Sequence, residues 1–264
     1  MKYRIFHLLL FTALVSVLSA CVRNNLTGPL SASVQADNYR LIRMEFSTGG
    51  YVEFSYDSNN RVSGCLMWGV PDFPDGKAIF EYDMFGRIIK RENYDISSVY
   101  KGYNTYEYDY LGRFSKSAVY IVSSLLYSYE YLFDTAGETE YMLFRYYTGD
   151  IAGYIEYEYN TNGSVLRKTV RNYEATFNAR QEYEYDNEGK LIRMDVIELY
   201  YAPDGYHDLQ YDSQGRLARA YRYDSSGAEE FNITYIYENS PSNTRFPYLY
   251  DYDCLPYMWV DSGA

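Results

Sequence analysis

One seven-residue segment returns along this chain with a nearly fixed step. YDSNNRV (56–62), YDMFGRI (82–88), YDYLGRF (108–114), FDTAGET (133–139), YNTNGSV (159–165), YDNEGKL (185–191) and YDSQGRL (211–217) align on their second residue. That anchor is Asp57, Asp83, Asp109, Asp134, Asn160, Asp186 or Asp212, at spacings of 26, 26, 25, 26, 26 and 26. A further step of 26 reaches Glu238 in YIYENS, a degenerate eighth copy. Such a chain folds as an array of supersecondary units, because a unit this short buries its apolar face only against its neighbours.

The columns of the repeat have a chemistry. Three residues after the anchor stand Asn60, Gly86, Gly112, Gly137, Gly163, Gly189 and Gly215, the residue types that best tolerate positive φ. An Asp or Asn at the first position of a turn accepts from the amides that follow it, and Gly three places later suits a type I turn closed by a G1 bulge. Five residues after the anchor, Val62, Ile88, Phe114, Thr139, Val165, Leu191 and Leu217 begin a returning strand. Seven residues before it, Gly50, Gly76, Gly102, Gly153 and Gly205 suggest a second turn, two of them within Pro-Asp-Gly. Aromatics fill alternate positions ahead of the anchor, as in Phe80/Tyr82, Tyr106/Tyr108, Tyr157/Tyr159 and Tyr183/Tyr185, with mostly polar residues between them. Period two is a strand with one packed face.

These readings give an all-β fold: antiparallel β-hairpin repeats forming an up-and-down meander of about fourteen strands. Propeller blades and leucine-rich repeats fit neither the period nor the pattern. Left open, so long a sheet would keep its tyrosine face wet, and large sheets curl. The expected form is therefore rolled, barrel-like or shell-like, with the tyrosine ladders inside.

The array resembles the YD repeats of the RHS family, whose units read Tyr-Asp-x-x-Gly-Arg-Leu. Arg61, Arg87, Arg113, Lys190 and Arg216 fill the family's basic position, whereas Glu138 and Ser164 depart from it. The resemblance covers about residues 45–240 and implies antiparallel hairpins. Large members wrap long arrays around a toxin and carry a C-terminal core signature that this sequence lacks, so the resemblance does not extend to that role.

At the N-terminus, Lys2 and Arg4 precede an apolar stretch from Leu8 to Val17, and Leu18-Ser19-Ala20 lead into Cys21. That is the layout of a secretory signal, too short to span a bilayer as a helix. Leu-Ser-Ala-Cys resembles the lipobox of bacterial lipoproteins, which implies cleavage before Cys21 and acylation of its thiol. The expected organisation is a signal peptide over 1–20, a lipidated Cys21 with a flexible tether over 21–37, the repeat domain over 38–240 and a C-terminal cap over 241–264. The implied partner is a membrane, held through the lipid on Cys21, and the place is the bacterial cell envelope at the outer membrane, on its periplasmic side or the cell surface. Without residues 1–20 the chain keeps 22 basic against 36 acidic residues, a charge of −14. Such a balance has no electrostatic footprint for nucleic acid.

The chemistry-bearing residues are sparse. His207 is the mature chain's one histidine and reads as an exposed turn residue; it has no nucleophile elbow near it in sequence. The cysteines lack metal-ligand spacing, so no metal, cofactor or catalytic residue is assigned. Cys65 and Cys254 would either form a disulfide joining the two ends of the array or be buried separately. Tyrosines off the ladder phase, Tyr146, Tyr147, Tyr200, Tyr201, Tyr248, Tyr250 and Tyr252, are the candidate binding residues for a glycan or an envelope protein. The sequence thus reads as a non-enzymatic binding or scaffolding module, the alternative being a glycan-degrading enzyme with paired carboxylates. An outer-membrane barrel would instead need the polar columns in its lumen and the tyrosines against lipid.

Overall fold

The computed structural model describes residues 39–240 except 71–73, 175–176 and 199–202. Among them, sixteen strands follow in order: β1 (Tyr39–Phe46), β2 (Tyr51–Tyr56), β3 (Val62–Trp68), β4 (Gly76–Tyr82), β5 (Ile88–Asp95), β6 (Tyr100–Tyr108), β7 (Phe114–Ile121) and β8 (Ser124–Phe133). The second half comprises β9 (Thr139–Tyr146), β10 (Ile151–Tyr159), β11 (Val165–Asn172), β12 (Phe177–Tyr185), β13 (Leu191–Glu198), β14 (Pro203–Tyr211), β15 (Leu217–Tyr223) and β16 (Glu229–Asn239). Each strand pairs antiparallel with its sequence neighbours, and β16 pairs with β1 to close the barrel.

The strand count exceeds the expected fourteen by two, and the excess is the eighth unit. Seven complete hairpins make β2 to β15; Tyr237 and Glu238 come from β16, and Arg40 and Leu41 from β1. Arg40 Nε donates to the Glu238 carboxylate, taking the place that Arg87 has on Asp83. The Arg40 guanidinium lies 4.5 Å from the Tyr56 ring centroid, and the Tyr56 hydroxyl donates to the Leu41 carbonyl. The two ends of the described chain thus share one repeat.

Each complete repeat turn has the same hydrogen bonds. The Asp83 amide donates to the Arg87 carbonyl at 2.9 Å, and the Gly86 amide donates to the Asp83 carbonyl at 3.0 Å, with Gly86 at φ 79°. This is a type I turn with a G1 bulge. Asn60, the one non-glycine in its column, adopts φ 61°. A second bulge follows inside the returning strand, where Tyr82 faces Ile88 but Glu81 faces Lys90, so the buried face of β5 runs Ile88, Arg91, Asn93 and, by the same shift at Ala218, that of β15 runs Leu217, Ala220, Arg222.

The other glycine column forms a turn only at Gly50, whose carbonyl accepts from the Phe46 amide. Gly76, Gly102, Gly153 and Gly205 lie in strands β4, β6, β10 and β14, and Gly50 directly precedes β2. A Cβ on Gly153 would stand 2.4 Å from the Arg171 carbonyl oxygen, and one on Gly76 would stand 2.6 Å from that of Tyr94. These positions are glycine because two backbones approach too closely for a side chain. The other reversals at that end lie further from the anchor, at 95–99, 146–150 and 224–228 among others. The fourth copy is one residue short because β7 and β8 join through only Val122 and Ser123.

Side-chain alternation decides inside from outside. Phe80, Tyr106, Tyr131, Tyr157, Tyr183, Leu209 and Tyr235, all three residues before their anchors, are buried in one apolar cluster with Val62, Ile88, Phe114, Leu191 and Leu217. A sixteen-stranded barrel of circular section leaves an aqueous channel. Here Leu191, Met194 and Ile233 have no exposed surface, so the interior is filled by side chains. The outer wall carries ion pairs instead, among them Lys90 with Glu81 and Glu92, Arg167 with Glu158 and Glu182, and Arg193 with Asp195. That polarity is the reverse of a lipid-facing barrel, where a charge at the bilayer midplane costs about 2–4 kcal/mol.

Candidate functional site

The anchor residues are engaged in their own turns. One oxygen of Asp83 accepts from the amides of Phe85 and Arg87, each at 2.9 Å, and the other accepts from Arg87 Nε at 2.7 Å. Asp57, Asp109 and Asp212 repeat this pattern, and Asp186 and Asn160 accept the two amides. Asp134, followed by Glu138 instead of Arg, accepts from the Glu138 amide. Partial burial would raise the Asp83 pKa, but the bonds from Arg87 and Phe85 outweigh it and hold the carboxyl below its usual range.

The basic residue of each turn also reaches the next repeat. Arg61 lies 4.4 Å from the ring centroid of Tyr82, Arg87 4.4 Å from that of Tyr108, and Arg113 4.0 Å from that of Phe133. The hydroxyls of Tyr82, Tyr108, Tyr159, Tyr185, Tyr211 and Tyr237 each donate to the carbonyl twenty residues earlier. Burial raises the pKa of Tyr56 and Tyr82. The repeated motif residues therefore form the mortar between repeats.

His207 corrects the sequence reading. It is 1% exposed and sits in β14 opposite Arg222 of β15, not on an exposed turn. Burial, and then the positive charge of Arg222, push its pKa down to about 3, so the imidazole is neutral at pH 7. Neither ring nitrogen has a hydrogen-bond partner among the described residues. Sealed in this way, it has no path to a substrate as a general base. It belongs to a polar interior zone that includes Arg91, Asn93, Asn104, Lys168, Gln181 and Arg222. Lys168 Nζ lies 5.4 Å from the Tyr157 ring centroid, Asn93 donates to Asn104 at 3.0 Å, and Arg222 Nε donates to Glu230 at 3.0 Å. The alternation of the strands, not a shared sequence motif, brings these groups inside.

Cys65 faces the interior and is buried; burial raises its thiol pKa, with a smaller opposing effect from Arg91. Its suggested partner Cys254 lies outside the described residues, as do Cys21, Tyr200, Tyr201, Tyr248, Tyr250 and Tyr252. Tyr146 and Tyr147 are described, and both are exposed. They occupy the turn between β9 and β10, where the Tyr146 amide donates to the Asp150 carbonyl at 3.0 Å and Tyr147 is 68% exposed.

Sequence reasoning missed what stands beside this turn. On the next hairpin, between β11 and β12, Tyr173 is 69% exposed and donates to the Glu174 carboxylate at 2.9 Å, which raises its pKa. On the preceding hairpin Val122 is exposed, and one hairpin further Ile96 and Val99 are as well. Neighbouring tips lie two strands, or about 10 Å, apart. The result is a row of apolar and tyrosyl side chains on one rim, with Asp150 and Glu174 alongside. The nonrepeating residues between strand patterns were the available signal, but which of their side chains stand exposed on the rim is decided only in the folded sheet.

No family model matches the sequence, and no curated protein matches it. Solved structures do. A porin-like protein from Bacteroides uniformis aligns with a TM-score of 0.48 at 12% identity, over 75% of this chain and 98% of that one. A porin-like protein from Bacteroides vulgatus aligns at 0.35 and 9%, over 74% and 97%. A Photorhabdus luminescens Tc holotoxin pore aligns at 0.32 and 11%, over 73% of this chain, which spans only 12% of the toxin chain.

Proposed function

We propose that this chain is a non-enzymatic, lipid-anchored module of the bacterial cell envelope, built from RHS-type YD repeats, that binds its partner on the rim bearing Tyr146, Tyr147 and Tyr173. The observation that carries this reading is the division of polarity. The interior is filled, the wall is an ion-pair ladder, and large apolar side chains stand exposed on neighbouring hairpin tips. A barrel so arranged offers a ligand its rims. The anchor carboxylates, already committed to turn amides, are poor material for an acid and base pair.

A glycan is the ligand class this rim suits best, because tyrosine rings flanked by Asp150 and Glu174 present flat faces beside hydroxyl acceptors. A protein partner is the second reading, favoured by Val122, Ile96 and Val99 on the same rim. The test is binding of residues 38–264 to a panel of bacterial and dietary polysaccharides. Saturable binding lost in Tyr147→Ala and Tyr173→Ala, with circular dichroism unchanged, supports glycan capture. A blank panel from the folded chain favours the protein partner, to be sought by cross-linking in the native envelope. Hydrolysis abolished by a single Asp or Glu substitution would overturn the non-enzymatic reading.

A further inference from the structure

The two residues after each anchor form a hairpin tip, and five of the seven tips are polar or small: Ser58-Asn59, Thr135-Ala136, Thr161-Asn162, Asn187-Glu188 and Ser213-Gln214. The second and third copies break the column with Met84-Phe85 and Tyr110-Leu111. Met84 is 90% exposed and Tyr110 92%, and Phe85 and Leu111 are also well exposed, so none of the four serves the core. Both turns close with the same bonds as the polar copies, so the turn does not require them either. Their hairpins are neighbours in the barrel, with tips about 10 Å apart. Four large apolar side chains are therefore held outward, side by side, on rigid turns.

The described chain begins at this same end. Tyr39 pairs with Asn239 at the rim that carries the repeat turns, whereas Tyr146, Tyr147 and Tyr173 sit at the opposite rim. Residues 22–38 span at most about 60 Å when fully extended, and an eight-residue strand runs about 27 Å. A tether from Cys21 meets the repeat-turn rim directly, whereas seating the opposite rim on the bilayer would spend about 27 Å of its reach along the wall. We infer that Met84, Phe85, Tyr110 and Leu111 dock on the lipid surface, seating the barrel upright and presenting the opposite rim outward. This rests on the reading that Cys21 carries the lipid. With the chain at −14, the contact is apolar and needs no anionic headgroup.

The test uses the mature lipidated chain in phosphatidylcholine vesicles, with Cys254→Ser and a polarity-sensitive fluorophore attached through Tyr110→Cys or, separately, Tyr147→Cys. A side chain at the interface lies roughly 5–10 Å into the headgroup and acyl boundary, so the label at 110 should shift to the blue and be quenched about twofold by acyl-brominated lipid. The label at 147 should not respond. Equal wetness at the two positions would overturn the inference, as would shielding at 110 before vesicles are added, which would assign the patch to a second copy of the chain if it grows with protein concentration and to residues 241–264 if it does not. Met84→Ser with Leu111→Ser should abolish the quenching at 110 while circular dichroism stays that of the barrel. Flotation with the vesicles tests the anchor independently. If the lipidated chain does not float, that reading fails, and the same labelled barrels held by a polyhistidine segment at residue 22 on nickel-chelating lipid decide the docking face by the same outcomes.

Discussion

In the turn at Asp83, one carboxylate oxygen collects two backbone amides while the other meets a guanidinium that stacks on the next repeat's tyrosine. Asp83→Ala removes all three acceptor roles and should cost about 1–2 kcal/mol in urea unfolding. Asp83→Asn should cost less, because Asn160 already accepts the amides of Asn162 and Ser164 in the fifth copy. There the ion pair is absent from both sides at once, Asn for Asp and Ser for Arg. His207 sets a separate dependence on pH. Its folded pKa, about 3, lies below the unfolded value of about 6.5, so between these values the unfolded chain binds more protons and stability falls as pH falls. The slope contributed is up to about 1.4 kcal/mol per pH unit. Thermal melts from pH 7 to 4.5 should show it, and His207→Gln should flatten it. The anchor carboxylates act lower: Asp57, Asp83, Asp109 and Asp212 have depressed pKa values, so their contribution is complete above about 3.9 and is lost as pH falls through the folded values.

A hairpin here joins two strands that meet through different kinds of glycine. Gly189 is at φ 80° with open space around the position of a Cβ, whereas Gly153 has an Arg171 carbonyl 2.4 Å from it. Gly189→Ala should therefore cost only the left-handed penalty, about 1–2 kcal/mol. Gly153→Ala must part β10 from β11 and should cost about 3 kcal/mol or more, as overpacking does at a site that cannot relax. Denaturant midpoints of the two variants check the order. The bulge just inside each returning strand, at Ile89, Leu166 and Ala218 for example, also acts on the element as a whole, for it moves the inward face from the fifth residue after the anchor to the eighth and tenth. That shift is why Arg91, Asn93, Lys168 and Arg222, polar residues in β-rich stretches, end up inside.

At the scale of the molecule, closure rests on one repeat divided between β1 and β16, with Arg40 and Glu238 separated by 198 residues. Such a contact forms only after long loop closure, and a chain without β1 leaves β2 and β16 as open edges. Deletion of 39–46 should yield aggregates in size-exclusion chromatography. Conversely, Tyr237-Glu238-Asn239-Ser240 joined through one glycine to Arg40-Leu41 rebuilds the repeat in a single turn. A circular permutant made this way and opened in the Asp186–Lys190 turn should remain a monomeric barrel by circular dichroism and chromatography, because any repeat turn is then equivalent to another.

The period, the turn type, the antiparallel hairpins and the inward tyrosines were all legible in the sequence. They depend on contacts within one repeat or between adjacent repeats, which a 26-residue step displays directly. The Asp-x-x-Gly column and the alternating aromatics each name a local geometry that few other residues satisfy. What the tertiary structure alone decided depends on distance and closure. Gly153 looks like a turn glycine until a neighbouring carbonyl is placed against it. His207 looks exposed beside Pro-Asp-Gly until β13 and β15 cover it. Arg40 and Leu41 stand before the first copy of the motif with no role until the far end of the chain supplies Tyr237 and Glu238. Even the exposed rims became visible only when successive hairpins stood side by side in the folded sheet, since exposure belongs to the assembled surface and not to any residue's type.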